Sequence, residues 1–291
     1  MNFHIIKLDD KEEFNALLGK TSYENSEFSF ANIFIWRKVY RIKIASLNGV
    51  IYIKGACPGT GMDMHYQPIV PDHIPLAGIL SEIKTDTGSP SRIYAANKQF
   101  VDRIRNESIP VAGINMNRDM FDYVYLTEDL AKLEGKKYHN KRTHINKFMR
   151  SYEFVYKELA KDQFDDCIEI FDSWAADMET DSAEEKEAVI SALENMEALG
   201  LCGAVLYIGR KPVAFTIGEH FKDDTALIHI EKAVPDLAEA YSVINQQFVS
   251  RKWQGKVKYI NREEDMGIEG LRIAKMSYRP YKFIEKFNIE L

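Results

Sequence analysis

The apolar residues of this chain change their spacing along its length, and they do so in the same order twice. Alternation of period 2 marks strands, and a repeat near 3.6 marks amphipathic helices. In the first half IIKL reads as a strand and DDKEEFNALLG as a helix, with Asp10 and Glu13 at capping-box spacing. SFANIFIWRKV follows as a short apolar helix. YRIKIAS and VIYIKG then alternate around Asn48-Gly49, a dipeptide that accepts the positive φ angles a two-residue hairpin turn demands. CPGTG reads as a loop, PDHIPLAGILSEIKT as a helix, RIYAAN as a strand, KQFVDRIRN as a helix and FDYVYL as a strand. The order then restarts with a helix at 137–151, strand FVYKEL and helices at 162–178 and 183–199. Strands CGAVLYI and KPVAFTIGEHF turn across Gly209-Arg210, and TALIHIEKA, a helix at 238–252, KVKYI, a helix at 267–276 and KFIEKFNIEL complete the chain. This pattern predicts an α/β fold with mixed sheets, in two like-folded units at 1–126 and 127–291.

A chain of 291 residues is long enough for two cores. Its 45% hydrophobic and 28% charged composition is that of a globular protein. Cys57, Cys167 and Cys202 are odd in number and never in CxxC or CxxH spacing, so neither a disulfide framework nor a metal site is expected, and each reads as a small buried hydrophobe. The N-terminal MNFHIIKLDDKEEF has no basic start before an apolar stretch, and no run of 18 apolar residues occurs. A cytoplasmic location is the expectation. GxGxxG after a strand, the Walker A loop, HExxH and GxSxG are all missing, which removes the Rossmann redox, nucleotide-hydrolysing, zinc-protease and serine-hydrolase classes.

The net charge of −6 argues against a constitutive nucleic-acid coat, but it hides an uneven distribution. Residues 158–197 carry 14 acids against Lys161 and Lys186, whereas 136–150 (KKYHNKRTHINKFMR) hold six Lys/Arg and no acid. Residues 251–282 hold nine Lys/Arg against four acids. These runs read either as solvated faces or as a basic groove.

Several residues break the pattern of their own element. Arg142 falls in the stripe of Tyr138, Ile145, Met149 and Tyr152, so it is either a snorkelling side chain or a guanidinium held under a cleft for a carboxylate or phosphate. On the strand TALIHIEKA, His229 and Glu231 point one way and Lys232 the other, while apolar residues occupy both faces, the mark of a central strand. A carboxylate there must find partners or shift its pKa, as a structural ion pair or in a catalytic site. In YINREEDMGIEGLRIAKMSYRP a strand ends at Ile260, and the polar run Asn261, Arg262, Glu263, Glu264, Asp265 follows, where the carboxyl ends of strands border a ligand crevice. Asp265 also suits a helix cap. Lys275 shares a stripe with Ile268 and Leu271, a second cation on an apolar face.

FDYVYLTEDLAKLEGKKYHNKRTHINKF, the stretch from EEKEAVISALENMEALGLCGAVLY to FTIGEHF, HIEKA and YINREEDMGIEGLRIAKMSYRP together resemble a bacterial domain family of uncharacterised function. That family is grouped with the C-terminal catalytic domain of phosphatidylglycerol lysyltransferases. The resemblance spans nearly the whole chain and is strongest from about residue 121 onward. It implies two tandem acyl-CoA N-acyltransferase-like folds, of the type shared by GCN5-related N-acetyltransferases (GNAT) and Fem aminoacyltransferases. Gly270, Leu271, Arg272, Lys275, Tyr278 and Pro280 are similar to the corresponding stretch of the lysyltransferases. Two departures stand out. The lysyltransferases join this domain to a membrane-spanning region. Where GCN5-related enzymes carry a glycine-containing pyrophosphate loop, this chain reads VPDLAEAYSVINQQF, and without glycine backbone amides approach a pyrophosphate poorly.

The resemblance implies an acyl- or aminoacyltransferase that moves its group from acyl-CoA or a charged tRNA to an amine or hydroxyl of a small-molecule, lipid or peptide acceptor. On that reading Glu231 is the base or the carboxylate that orients an amine, His229 is its partner or alternate, and Arg262 and Lys275 bind the anionic donor end or the oxyanion. Glu263 and Asp265 hold a substrate ammonium, with Asn261, Arg272, Lys232 and Tyr278 also contacting substrate. Lys137, Arg142 and Lys147 contact phosphates. The alternative is a non-catalytic small-molecule or anion-binding regulatory module on the same fold.

Overall fold

The structure is a computed structural model and describes residues 1–56, 61–87, 91–177 and 182–291. The chain forms two compact units, one of residues 1–122 and 284–291 and the other of residues 123–283. The first contains β1 (His4–Ile5), α1 (Lys11–Leu18), α2 (Phe30–Ile35), β2 (Lys43–Leu47), β3 (Val50–Ala56), β4 (Asp63–Tyr66), α3 (Leu76–Thr87), β5 (Arg92–Asn97), α4 (Lys98–Asn106) and β6 (Gly113–Met116). Asn48 and Gly49 adopt φ +52° and +76° between β2 and β3, as the hairpin turn requires. The Asn97 side chain accepts from Phe100 N–H and caps α4. Asp10 does not cap α1; its carboxylate accepts from Lys7 N–H one turn earlier. The core gathers Val50, Tyr52, Ile83, Ile93, Phe100 and Ile289.

The second unit contains β7 (Asp122–Leu126), α5 (Thr127–Lys132), α6 (His139–Ser151), β8 (Phe154–Glu158), α7 (Phe164–Ala175), α8 (Ala183–Glu194), α9 (Met196–Leu199), β9 (Leu201–Ile208), β10 (Lys211–Lys222), β11 (Thr225–Ala233), α10 (Glu239–Phe248), β12 (Tyr259–Asn261), α11 (Glu269–Met276) and β13 (Lys282–Ile284). Its sheet runs β13-β7-β12-β11-β10-β9-β8. Helix α7 packs on β10 and β11, and α10 on β9, β10 and β11. Consecutive residues of β11 touch different helices: Lys232 lies over Trp174 of α7, whereas Glu231 accepts from Asn245 of α10. The two helices therefore cover opposite faces of a central strand. The strands approach closely at two glycines, since a Cβ on Gly203 would lie 2.5 Å from the Thr216 carbonyl and one on Gly218 2.3 Å from the Leu227 carbonyl.

KFIEKFNIEL, expected as one strand, is two. Residues 282–284 join the second sheet as β13, and β14 (Lys286–Glu290) pairs with β5 and β6 in the first sheet, whose order is β1-β2-β3-β4-β5-β14-β6. The expected unit 127–291 therefore differs from the observed division at its C-terminal end. Local apolar patterning marks a strand but carries no information on which sheet receives it. Listed from the opposite edge, the second sheet has the same plan as the first. In each, a parallel pair (β4 with β5, β11 with β12) occupies positions four and five, and an antiparallel strand from elsewhere in the chain follows at position six. The expected helix 183–199 is broken at Asn195 into α8 and α9. Cys57 with the next three residues of the CPGTG loop, and residue 178 at the end of helix 162–178, lie outside the described residues. Cys167 is buried, Cys202 is partly buried, and burial raises both thiol pKa values. No helix among the described residues is long and apolar enough to cross a membrane.

Candidate functional site

The parallel pair β11 and β12 is joined over Thr225↔Tyr259, Ala226↔Ile260 and Leu227↔Asn261. Beyond this point β12 ends while β11 continues to Ala233. The strands part at their carboxyl ends, the place where open α/β sheets bind ligands. The β10–β11 register also shifts here, because Ile217 and Gly218 are consecutive but face Ile230 and Ile228, leaving His229 as the extra residue of a bulge. Bulges re-aim side chains and are frequent beside active sites.

His229 is held between two carboxylates. Its Nδ1 meets Glu263 Oε1 at 2.7 Å and its Nε2 meets Glu219 Oε1 at 3.0 Å, with the ring 1% exposed. A carboxylate only accepts hydrogen bonds, so both ring nitrogens carry protons and the ring is an imidazolium. Burial alone would lower its pKa, but the hydrogen bonds and charges of Glu219 and Glu263 outweigh burial and raise it to about 10. The partners of His229 are therefore Glu219 and Glu263, not Glu231.

Glu231 instead faces Arg262, whose Nη2 donates to Oε1 at 2.7 Å, and Asn245, whose Nδ2 donates to Oε2 at 3.0 Å. Thr216 stands directly opposite on β10. The Arg262 guanidinium stacks 4.8 Å from the Tyr278 ring and 5.9 Å from Tyr125, and the Tyr278 hydroxyl donates to Ser242 Oγ at 3.3 Å. Three buried atoms of this group have no hydrogen-bond partner: Arg262 Nη1, Asn245 Oδ1 and Thr216 Oγ1. Lys141 of α6 reaches the same cluster, with Nζ 3.8 Å above the Tyr278 ring. Burial, and next the Arg262 charge, push its pKa down to about 8 against the opposing pull of Glu231.

Other expected site residues are occupied differently. Lys275 is buried, and its ammonium donates to the carbonyls of Arg262 (2.6 Å), Glu263 (3.1 Å) and Glu264. An ammonium has three donors, so Lys275 clamps the loop that presents Arg262 and has none left for an oxyanion. Asp265 takes a bidentate pair from Arg272 at 2.8 Å and bonds to the Tyr123 hydroxyl and Gly267 N–H. Burial would raise the Asp265 pKa, yet these donors hold it at about 2, and the Asp265–Arg272 pair anchors α11 rather than a substrate. Asn261 is fully buried, accepting from Glu263 N–H at 2.8 Å. Lys232 points to the opposite face and binds Glu185 at 2.8 Å.

Arg142 donates to the carbonyls of Leu133 and Gly135, closing the turn after α5, and is not a guanidinium awaiting an anion. Lys137 and Lys147 are exposed and paired with Asp129 and Glu239. The three phosphate contacts expected of α6 are thus not assembled. The buried residues of this segment are Tyr138, Ile145 and Phe148, and partly buried Lys141 lies on their side against Tyr278, so the cation facing the site is the neighbour of the one expected. Bulky Phe148, in place of Met149, was the available signal. Ser242 and Asn245, polar residues three apart among Val243, Ile244 and Phe248, were a second.

At the corresponding point of the first unit, where β4 ends beside β5, Gln67 Oε1 accepts from Asn97 N–H at 2.7 Å and Asn97 Nδ2 donates to Asn25 Oδ1 at 3.3 Å. These are neutral amides, and Asn25 also donates to Glu27, which pairs with the fully buried Lys286 beside Asp122, so the first unit carries a charged cluster of its own, with different residues.

The family described as phosphatidylglycerol lysyltransferase, C-terminal, matches residues 20–290. The chain belongs to that family. Among solved structures, a conserved protein of unknown function from Bacteroides thetaiotaomicron is 32% identical, with 100% of this chain and 99% of the other covered and a TM-score of 0.91. L-PGS from Bacillus licheniformis is 13% identical over 97% of this chain and 91% of its own, with a TM-score of 0.65. FemX is 8% identical over 100% and 98%, with a TM-score of 0.60. At these identities L-PGS and FemX share the fold. No match is found among the curated proteins. This member of the phosphatidylglycerol lysyltransferase C-terminal family thus has the mixed-sheet acyltransferase-like fold.

Proposed function

We propose that the chain is an aminoacyltransferase built from two tandem acyltransferase-like domains, with its chemistry at Glu231, Arg262 and Lys141 of the second. The observation that carries this reading is the buried Glu231–Arg262 pair where β11 and β12 part, with Arg262 Nη1 unbonded and Lys141 beside it. The family supports a transfer reaction and the shared strand plan of the two sheets supports the tandem organisation.

The donor is an aminoacyl ester of tRNA, and the acceptor is a hydroxyl or amine. Lys141, with a pKa near 8, takes the proton from the acceptor as its oxygen or nitrogen attacks the ester carbonyl. Arg262 Nη1 donates to the developing oxyanion. Glu231 pairs with Arg262, and its spare lone pairs, with Asn245 Oδ1, hold the donor ammonium. When the intermediate collapses, the ester bond to the tRNA ribose breaks, the new acyl bond remains, and the proton passes from Lys141 to the ribose hydroxyl. The chain enters α10 through Pro235–Leu237 and Ala238 without a glycine, which favours tRNA over acyl-CoA as donor. The reaction is assigned to the cytoplasm, where charged tRNA is available.

The test offers the full chain a pool of tRNA charged with labelled amino acids, together with lipid and amine acceptors. Transfer should appear, and should fall about a hundredfold or more in Arg262→Lys, which removes the planar donor set. Transfer unchanged in Arg262→Lys and in Glu231→Gln would overturn the assignment.

A further inference from the structure

Helix α11 is packed inside out. Its buried side chain is Lys275, with Arg272 beside it on Asp265, whereas Ile268, Leu271, Ile273 and Met276 face solvent, Ile273 at 62%. Met266 before the helix and Tyr281 and Phe283 after it extend the same exposure. Of the 15 exposed large hydrophobics among the described residues, seven lie between 266 and 283. Scattered exposed apolar residues are ordinary, but a concentrated set marks a contact surface.

The charge around this patch has one prevailing sign. Lys258 and Lys282 stand 4.9 and 5.3 Å from the Tyr259 ring, which stacks on Tyr281 at 5.7 Å, and Arg279 is exposed between α11 and Tyr281. Of the nearby acids, Asp265 bonds Arg272 and Glu263 bonds His229, Glu264 is partly exposed, and Glu269 and Asp224, the latter beside Lys258, are exposed.

We propose that α11 and the segment through Phe283 form a docking surface for an anionic lipid bilayer. Ile268, Leu271, Ile273 and Met276 enter the boundary between headgroups and acyl chains, and Lys258, Arg279 and Lys282 meet the lipid phosphates. Tyr281 and Phe283 suit the interface, since aromatic rings settle at headgroup level. A second copy of the chain would fit this face less well, because a two-fold contact sets the same cations against each other. The surface does not rest on the transfer chemistry. It is nevertheless bonded to the site, because Lys275 of α11 holds the carbonyls of residues 262–264.

The experiment is flotation of the full chain with vesicles of phosphatidylcholine alone, or mixed equally with phosphatidylserine or with phosphatidylglycerol. Binding to both mixtures is expected, about tenfold weaker on phosphatidylcholine alone and weakened by salt. Ile268→Ser with Ile273→Ser should reduce it about tenfold with no change in thermal midpoint, both side chains being exposed, and Glu269→Lys should tighten it. Four results would overturn the proposal: no binding, equal binding to phosphatidylcholine alone, binding to phosphatidylglycerol without phosphatidylserine (a headgroup pocket), or a dimer that the double variant dissociates while vesicle binding is unchanged. None depends on whether transfer is detected.

Discussion

Glu231 Oε1 accepts from Arg262 Nη2 at 2.7 Å across the gap that opens where β11 and β12 separate, with the side chains 9% and 12% exposed. Desolvating two charges offsets much of their attraction, so a buried pair is weak evidence of stabilisation by itself. This pair also leaves Arg262 Nη1 without a partner, and an unsatisfied buried donor costs about 1–3 kcal/mol. A purely structural pair would gain by closing that bond. In the proposed transfer that position would be filled by an acyl carbonyl on its way to an oxyanion, with Tyr278 on the other side of the guanidinium.

Substitutions at Glu231 should separate charge from shape. Both Glu231→Gln and Glu231→Ala leave Arg262 buried without a counter-charge and should lower unfolding stability by about 3–5 kcal/mol. Glu231→Gln keeps a hydrogen-bond acceptor for Arg262 and should lose about 1 kcal/mol less than Glu231→Ala. Urea unfolding of both variants measures this difference. Equal losses would mean that water or another acid already compensates Arg262.

The His229 imidazolium makes stability depend on pH. Its pKa is about 10 folded against 6.5 in a free side chain, so the folded state holds the proton more tightly. This stabilisation is fully present below about pH 6.5 and is lost as pH rises towards 10. His229→Gln should abolish the part of the decline that lies between those values. Denaturant midpoints of the two proteins across that range test it, and parallel curves would show that His229 does not keep its proton.

The sequence showed where polar groups would gather better than what each of them would bond to. The polar run after Ile260 and the charged pair on β11 meet because strand ends border crevices, and Glu231 and Arg262 were singled out for that reason. Lys275, Lys232 and Arg142 stood out as cations that break the pattern of their element, but periodicity does not show whether backbone carbonyls or a second helix await the charge, and Lys275 faces away from Ile268 and Leu271 rather than sharing their stripe. Carbonyls of 262–264 await Lys275, Glu185 awaits Lys232, and the Leu133–Gly135 turn awaits Arg142. Lys141 was missed because spacings of three and four compete within one helix. Glu219 was missed because a bulge on the neighbouring strand decides which carboxylate faces His229. The destination of β14 is a non-local property that no local pattern records.

Gly218 should be the least replaceable glycine of the second sheet. A Cβ there would stand 2.3 Å from the Leu227 carbonyl and 3.1 Å from Ile228 Cδ1, beside the bulge that turns His229. Backbone cannot yield as a flexible side chain does, so Gly218→Ala should cost about 3 kcal/mol or more. Gly270→Ala, with nothing within 4 Å of its added Cβ, is the control and should be stabilising or neutral. Thermal or urea unfolding of the two variants gives the comparison, and similar midpoints would show that β10 and β11 move apart freely.

Lys141 should be the most reactive lysine near pH 8. With its pKa at about 8, half of its side chains are neutral there, while an ordinary lysine is neutral in well under one per cent of molecules. Lys147, six residues further along α6, makes the contrast, because its hydrogen bond to Glu239 raises its pKa although it is exposed. A limiting amount of a small acylating reagent should therefore modify Lys141 about tenfold faster than Lys147, as read by peptide mass spectrometry, even though Lys141 is partly buried. Arg262→Met removes a neighbouring positive charge and should move the Lys141 profile to higher pH, and Glu231→Gln should move it lower, because that carboxylate favours the charged amine. If Lys141 and Lys147 titrate alike, Lys141 is an ordinary surface cation and the proton in the proposed transfer must be taken by another group.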